Sequence, residues 1–249
     1  MSDARADARA ARIAFDQLLE TDAPHLAHRL PPGFADAAER YVELLLDANR
    51  RLNLTRVMEP EAVARLHLLD AIAAVPILDE LSPASALDLG SGGGVPGILL
   101  ALARPGIAWT LIDSVHKKVA ALAGFVAALS LSNVAVLAER AEVLGRGPRR
   151  ESFDLVTARA CAALPVVAEY ALPLLRLGGS MLAWKGRIGS DELAAGAAAS
   201  AGLGGGPPVV RPSGMPSLGD HSFVLMPKVG PTPDRFPRRP GQPVRRPLP

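Results

Sequence analysis

The chain is predicted to be an α/β protein with a doubly wound, Rossmann-like parallel sheet and an N-terminal helical cap. Three observations carry this prediction. Helical apolar spacing gives way near Pro83 to short apolar runs, and these alternate with helical segments as far as Lys228. The first run leads directly into a glycine-rich turn, Ala86-Leu87-Asp88-Leu89-Gly90-Ser91-Gly92-Gly93-Gly94-Val95-Pro96-Gly97. Strands alternating with helices make parallel sheets, which bind ligands at the carboxyl ends of their strands.

In the cap, Tyr41, Leu44, Leu45, Ala48 and Leu52 follow the i, i+3, i+4, i+7, i+11 rhythm of one buried helix face. A shorter helix is predicted around Phe15, Leu18 and Leu19, before the Pro31-Pro32-Gly33 break, and a third from near Pro60 to the Pro76 region. Strands are predicted over 85–90, 109–113, 134–140, 153–159, 181–186 and 222–228, the fifth following a Leu177-Gly178-Gly179 turn. A helix is expected over 115–129. The stretch 197–208 is so rich in Ala, Gly and Pro that it reads as a mobile loop. Eight prolines in the 23 residues from Pro227 imply an extended, polyproline-like tail unless it lies on the body. The chain thus divides into a helical extension (1–80), a core (81–228) and a basic Pro/Arg-rich tail (229–249).

With 249 residues, 49% of them hydrophobic and 21% charged, the chain can bury a sizeable core. No apolar run approaches the roughly 20 residues of a membrane span, and the polar start lacks a signal-peptide core, so a cytoplasmic protein without membrane contact is expected. Cys161 is the only cysteine, which excludes an internal disulfide and a cysteine-based zinc site; no metal is expected. The net charge of +2 is unevenly spread. Lys228, Arg235, Arg238, Arg239, Arg245 and Arg246 face only Asp234 in the tail, so the rest of the chain is mildly acidic. A basic end points to an anionic partner, nucleic acid first, or to a solvated tail.

Five glycines in the eight positions 90–97 let backbone approach a ligand closely. Gly92-x-Gly94-x-x-Gly97, with Asp113 beyond it, even satisfies the dinucleotide fingerprint. Asp88 decides between cofactors. A carboxylate beside this helix start repels a pyrophosphate but suits the ammonium and sulfonium of S-adenosylmethionine. Asp88, Gly90, Ser91, Gly92, Gly94 and Val95 are therefore candidate cofactor residues. Asp113 ends the second strand, where an acid meets ribose hydroxyls; the lesser alternative is a cap on the following helix. Ala141 and Glu142 follow the third strand, where a backbone N–H and a carboxylate can hold an adenine, or where Glu142 simply faces solvent.

Arg159 ends the fourth strand on the rim where target bases enter many methyltransferases; it can bind phosphate, stack on a base or pair with a carboxylate. Lys185 ends the fifth strand on the same rim. His67 and Asp70 are three apart on one helix face and read on their own as a surface hydrogen-bonding pair. Amine methylation would call for Asn or Asp followed by Pro-Pro and an aromatic residue after the fourth strand. Thr157-Ala158-Arg159-Ala160 stands there instead. A ring nitrogen such as guanine N7 offers its lone pair without losing a proton, so it needs alignment and no general base.

Taken in order, Asn53-Leu54-Thr55, His67-Leu68-Leu69-Asp70, the loop 88–97, Leu111-Ile112-Asp113-Ser114, Arg140-Ala141-Glu142, 153–160, Trp184-Lys185-Gly186 and 236–243 resemble the RsmG (GidB) family over nearly the whole chain from Tyr41. The resemblance implies a class I S-adenosylmethionine-dependent methyltransferase acting on guanine N7 in 16S rRNA of the small ribosomal subunit. It places Gly90, Val95, Ala141, Glu142 and Arg159 at cofactor positions. It places His67, Asp70, Lys185 and the Arg238-Arg239 region toward the RNA or in support of the rim. Two positions depart from the family pattern: Ala71 replaces the usual serine, and His221-Ser222 stands where an arginine often precedes the last strand. A monomer is expected. The competing readings are a small-molecule methyltransferase, a nicotinamide oxidoreductase, which Asp88 disfavours, and a non-catalytic RNA-binding protein.

Overall fold

The computed structural model describes residues 3–160 and 162–249. The N-terminal part is helical: α1 (Asp3–Thr21), α2 (Pro24–Ala27), α3 (Phe34–Leu52), α4 (Pro60–Val63), a π-helical turn (Ala64–Leu69), α5 (Asp70–Ile72) and α6 (Val75–Leu81). Of these, α1 runs well beyond the short helix expected around Phe15. Its buried stripe is Ala4, Ala8, Ala11 and Phe15, and three of those four are alanines, which mark a helix face weakly in sequence. The third expected helix is divided between α4, the π-turn, α5 and α6.

From β1 (Ser85–Leu89) the chain alternates: α7 (Gly97–Ala103), β2 (Ala108–Asp113), α8 (His116–Ala128), β3 (Val134–Ala138), α9 (Ala141–Leu144), β4 (Phe153–Arg159), α10 (Leu164–Ala171), β5 (Leu175–Lys185), α11 (Ser190–Gly202), β6 (Val209–Pro212), a 3₁₀ turn (Pro216–Leu218), β7 (Ser222–Pro227) and α12 (Gln242–Arg245). The sheet has seven strands in the order β3-β2-β1-β4-β5-β7-β6. The five strands β1 to β5 pair in parallel, while β7 runs antiparallel to β5 and β6 to β7.

Three expectations are corrected. The stretch 197–208 is not simply a loop, because α11 continues to Gly202 and Ala199 and Ser200 are buried. The Leu177-Gly178-Gly179 turn lies inside β5, whose pairing with β4 is irregular near Phe153 and Leu155. A further strand, β6, adds to the six expected, since Val-Val-Arg-Pro is too short to show an alternation.

Successive residues of the strands serve the two faces of the sheet. In β5, Leu182 and Trp184 join the core beneath the helical cap, and Met181 and Ala183 the core beneath α10 and α11. In β7, Phe223 and Leu225 serve the first core, and Val224 and Met226 the second. The N-terminal helices therefore share one apolar core with a face of the sheet: Phe15, Tyr41, Leu45 and Leu68 belong to the same cluster as Trp109, Leu111 and Leu155.

The tail lies on the body. Phe236 is buried in the second core and Leu248 packs against it. Arg150 donates to the carbonyls of Thr232 and Phe236 at 2.6 and 2.7 Å, and Arg146 to that of Pro237 at 2.7 Å. These anchors replace the internal hydrogen bonds that a proline-rich segment cannot make. Lys228, fully buried, donates to Leu172 O at 2.8 Å and to Thr232 Oγ1, fixing the root of the tail.

Candidate active site

At the carboxyl ends of β1, β2 and β3 a cleft of about 320 Å³ opens, walled by Leu89, Gly90, Ile112, Asp113, Glu139, Arg140, Ala141, Glu142 and Ala160 among others. The turn after β1 borders it through Gly90. Gly90, Gly92 and Gly94 have φ of 64°, 55° and 102°, a left-handed backbone that side chains resist. A Cβ on Gly94 would lie 2.6 Å from Ile98 Cδ1. The turn is fastened on three sides. Ser91 N–H donates to Ile112 O at 2.9 Å, Gly92 N–H to Asp113 Oδ2 at 3.1 Å, and the buried Tyr41 hydroxyl to Gly93 O at 2.8 Å. In the sequence Tyr41 is only one apolar position of a helix face; nothing local reveals that its hydroxyl shapes the glycine turn.

The predicted cofactor residues separate into two sets. Gly90, Asp113, Ala141 and Glu142 line the cleft. Asp88, Ser91, Gly92, Gly94 and Val95 do not, and neither does Arg159, which lines a second cavity beside it. Asp113 holds both the turn and, through Oδ1, the Val115 N–H at 2.8 Å, so it joins β2 to the start of α8 while bordering the cleft. Glu142 is 3% exposed, and its Oε1 accepts the Gly241 N–H of the tail at 2.8 Å.

Asp88 is 1% exposed. Its Oδ1 accepts the Thr157 hydroxyl at 2.7 Å, and among the described residues Oδ2 has no partner. Burial drives its pKa up to about 6, against the lowering effect of the Thr157 hydroxyl. The ionised form is thus disfavoured in the fold, and a cation brought near would restore it. Because the folded pKa is raised, protonated Asp88 favours folding at low pH, and that contribution disappears as pH rises from the ordinary range through about 6. The shift corresponds to at most about 3 kcal/mol. Asp88→Asn is therefore expected to raise the melting temperature at pH 8 and not at pH 4. Equal effects at both pH values would contradict the assignment.

Beyond Ala160 lies a second cavity of about 370 Å³, walled by Val57, Leu66, Asp70, Arg159, Trp184, Lys185, Gly186 and His221. Ala160 borders both cavities. Arg159 donates to Asp70 Oδ2 at 2.6 Å and to Leu66 O at 2.7 Å, and lies 3.2 Å from His67 Nδ1. His67 Nε2 meets the Thr55 hydroxyl at 2.9 Å. The Asp70 backbone carbonyl accepts the Trp184 indole N–H at 2.9 Å, while its Oδ1 accepts from His221 Nδ1 at 3.0 Å. The cap, β4, β5 and the entry to β7 thus meet in one buried polar network.

His67 and Asp70 are each 3% exposed, so they are not a surface pair, and Asp70 lies on the wall of the second cavity. Both side chains reach the single Arg159 guanidinium. Lys185 Nζ is held by Glu192 Oε1 at 2.7 Å and Ala162 O at 3.0 Å. Arg238 grips the fully buried Glu169 carboxylate through its fork and its backbone N–H, so it anchors the tail. Arg239 is exposed.

Burial and the neighbouring Arg159 charge push the His67 pKa down to about 4, so the ring is neutral near pH 7. With the folded value below the unfolded one, stability is complete above about 6.5 and falls as pH drops toward 4. His67→Gln should flatten the acid limb of a stability–pH profile between those values. An unchanged profile would place the acid sensitivity elsewhere.

A doubly wound sheet of this strand order, with an antiparallel β7 and a glycine-rich turn after β1, defines a class I S-adenosylmethionine-dependent methyltransferase. Solved structures agree on the fold: the chain superposes on the CurJ carbon methyltransferase with a TM-score of 0.53, 15% identity and coverage of 88% of this chain and 67% of that one. The model of the GidB family, rRNA small subunit methyltransferase G, matches residues 35–207. A ribosomal RNA small subunit methyltransferase G from Chloroflexus aggregans is 43% identical over 84% of this chain and 88% of its own length. One from Moorella thermoacetica is 40% identical over 94% and 98%. The chain belongs to the rRNA small subunit methyltransferase G family.

Proposed function

We propose that the protein transfers the methyl group of S-adenosylmethionine to N7 of a guanine in 16S rRNA, on the small ribosomal subunit or its free RNA. The observation that carries this reading is the pair of adjoining cavities meeting at Ala160, one edged with carboxylates and backbone amides for an adenosine, the other of a size for a planar base. When bound, the cofactor supplies an electrophilic methyl on a cationic sulfur. The chain supplies position. Asp113 accepts the ribose hydroxyls, the Ala141 N–H and the Glu142 carboxylate hold the adenine edge, and Gly90 lets the backbone come close. Asp88, behind the turn, balances cationic charge. The flipped guanine enters past Arg159 with its N7 lone pair facing the cleft. No proton leaves N7, so alignment and exclusion of water suffice. Exposed Arg239, with Arg235, Arg245 and Arg246, meets RNA phosphates.

Within this reading the three segments 1–80, 81–228 and 229–249 act as one unit, as a monomer in the cytoplasm. Among the described residues no helix is long and apolar enough to cross a membrane. The test is methyl transfer from labelled S-adenosylmethionine to small subunits lacking native modification, followed by nucleoside mass spectrometry. Formation of 7-methylguanosine by the wild type, with a cofactor KM raised at least tenfold in Asp113→Ala, is the expected result. Cofactor binding without incorporation into subunits or free rRNA would overturn it and leave the small-molecule reading standing.

A further inference from the structure

His221 sits at the entry to β7, on the wall of the second cavity. Its Nδ1 is 3.0 Å from Asp70 Oδ1. A carboxylate only accepts, so this contact places a proton on Nδ1 and leaves Nε2 as the nitrogen that carries a lone pair in the neutral ring. Among the described residues Nε2 has no hydrogen-bond partner, and the side chain remains 37% exposed. The other polar groups on this wall are committed. Asp70 serves Arg159 and His221, Arg159 bonds Asp70 and Leu66 O, and Lys185 bonds Glu192 and Ala162 O.

The geometry points to His221 as a substrate-contacting residue that accepts a hydrogen bond from the Watson–Crick edge of the target guanine; this rests on the guanine-N7 reading above. Ala160 separates the two cavities, so a guanine whose N7 faces the cofactor cleft turns its N1–H and exocyclic amine away from it, toward the walls that only the second cavity has. His221 is on those walls. N7 attacks the methyl carbon, the carbon–sulfur bond breaks, its electron pair stays on sulfur, and the purine becomes cationic. No proton is transferred. As that charge develops, N1–H and the amine become stronger donors, so a lone pair facing them binds the transition state more tightly than the ground state. The same acceptor discriminates against adenine, whose N1 carries no hydrogen. Asp70 acts through His221 as a positioning residue: it fixes the tautomer and the ring plane.

The experiment compares the wild type, His221→Phe and His221→Gln in single-turnover methyl transfer to unmodified small subunits, with cofactor affinity and melting temperature measured alongside. Phenylalanine keeps a ring but has no acceptor; glutamine offers an amide oxygen but cannot copy the imidazole. The expected result is a rate at least tenfold lower for His221→Phe, a cofactor Kd within twofold of wild type, and recovery of much of the rate in His221→Gln. A wild-type rate in His221→Phe would overturn the proposal, as would equal losses in both variants that track their melting temperatures. If the wild type itself forms no 7-methylguanosine, the functional reading fails and the proposal falls with it, a result readable before either variant is assayed.

Discussion

Arg238→Ala is expected to destabilise the fold by about 3–5 kcal/mol, the typical consequence of removing one partner from a buried ion pair. Glu169 has no solvent to turn to: it is 0% exposed and both its oxygens are held by the Arg238 side chain and backbone. The melting temperature should fall by roughly 10 °C in a chain of this size. Cofactor affinity should fall as well, because the residues that follow Arg238 place the Gly241 N–H on Glu142 Oε1 at the cleft wall. Thermal unfolding with and without S-adenosylhomocysteine checks both. An Arg238→Ala protein with wild-type stability and cofactor affinity, weakened only toward RNA, would restore a phosphate-binding role for this arginine. The double variant Glu169→Leu, Arg238→Met removes both charges and should recover much of the stability while leaving the exposed arginines untouched.

The second large effect is expected at Arg159. Arg159→Met leaves the buried Asp70 carboxylate with His221 Nδ1 as its remaining side-chain partner among the described residues and deprives Leu66 O and His67 of a donor. A loss of about 3–5 kcal/mol is expected here too, together with at least a hundredfold fall in methyl transfer, since Arg159 lines the second cavity, which the proposed function assigns to the target base. Arg159→Lys should not rescue. A single ammonium cannot span the Asp70 carboxylate, a backbone carbonyl and an imidazole nitrogen at once. Near-wild-type turnover by the lysine variant, measured by the same transfer assay, would show that charge alone suffices.

Whether a feature is legible in the sequence depends on whether it is local. Four of the five parallel strands, β1 to β4, can be read close to their observed bounds because buried strands are short apolar runs between turn residues; β5 begins six residues before its expected start, because Gly178 and Gly179 read as a turn. The glycine turn stands out because so many glycines close together weaken a chain unless its backbone must bend sharply or approach a ligand. Asp113, Ala141 and Glu142 can be placed because strand ends converge on one edge of a doubly wound sheet. The partners of these residues cannot. Glu169 sits in Leu164–Ala171 among apolar residues, a sign that a charge is buried, yet nothing local says that Arg238, 69 residues on, answers it. His67 and Asp70 look like a surface pair because helical spacing reports which residues share a face, not what that face meets. The tail's basic residues look like one charged arm, whereas packing divides them into buried anchors such as Arg238 and exposed cations such as Arg239.

The hydrogen bond from Tyr41 to Gly93 O bears on how far this architecture is modular. A helical extension that merely decorated the sheet could be exchanged between relatives at will. Here α3 shapes the glycine turn, and the π-helical turn shares its polar network with β4 and the start of β7. A hybrid made by grafting another relative's N-terminal helices onto this sheet would have to transplant residues 34–72 together with the turn at 88–97, Arg159 and His221. A junction placed between helices and sheet, where the chain looks easiest to cut, would separate residues that belong to one machine.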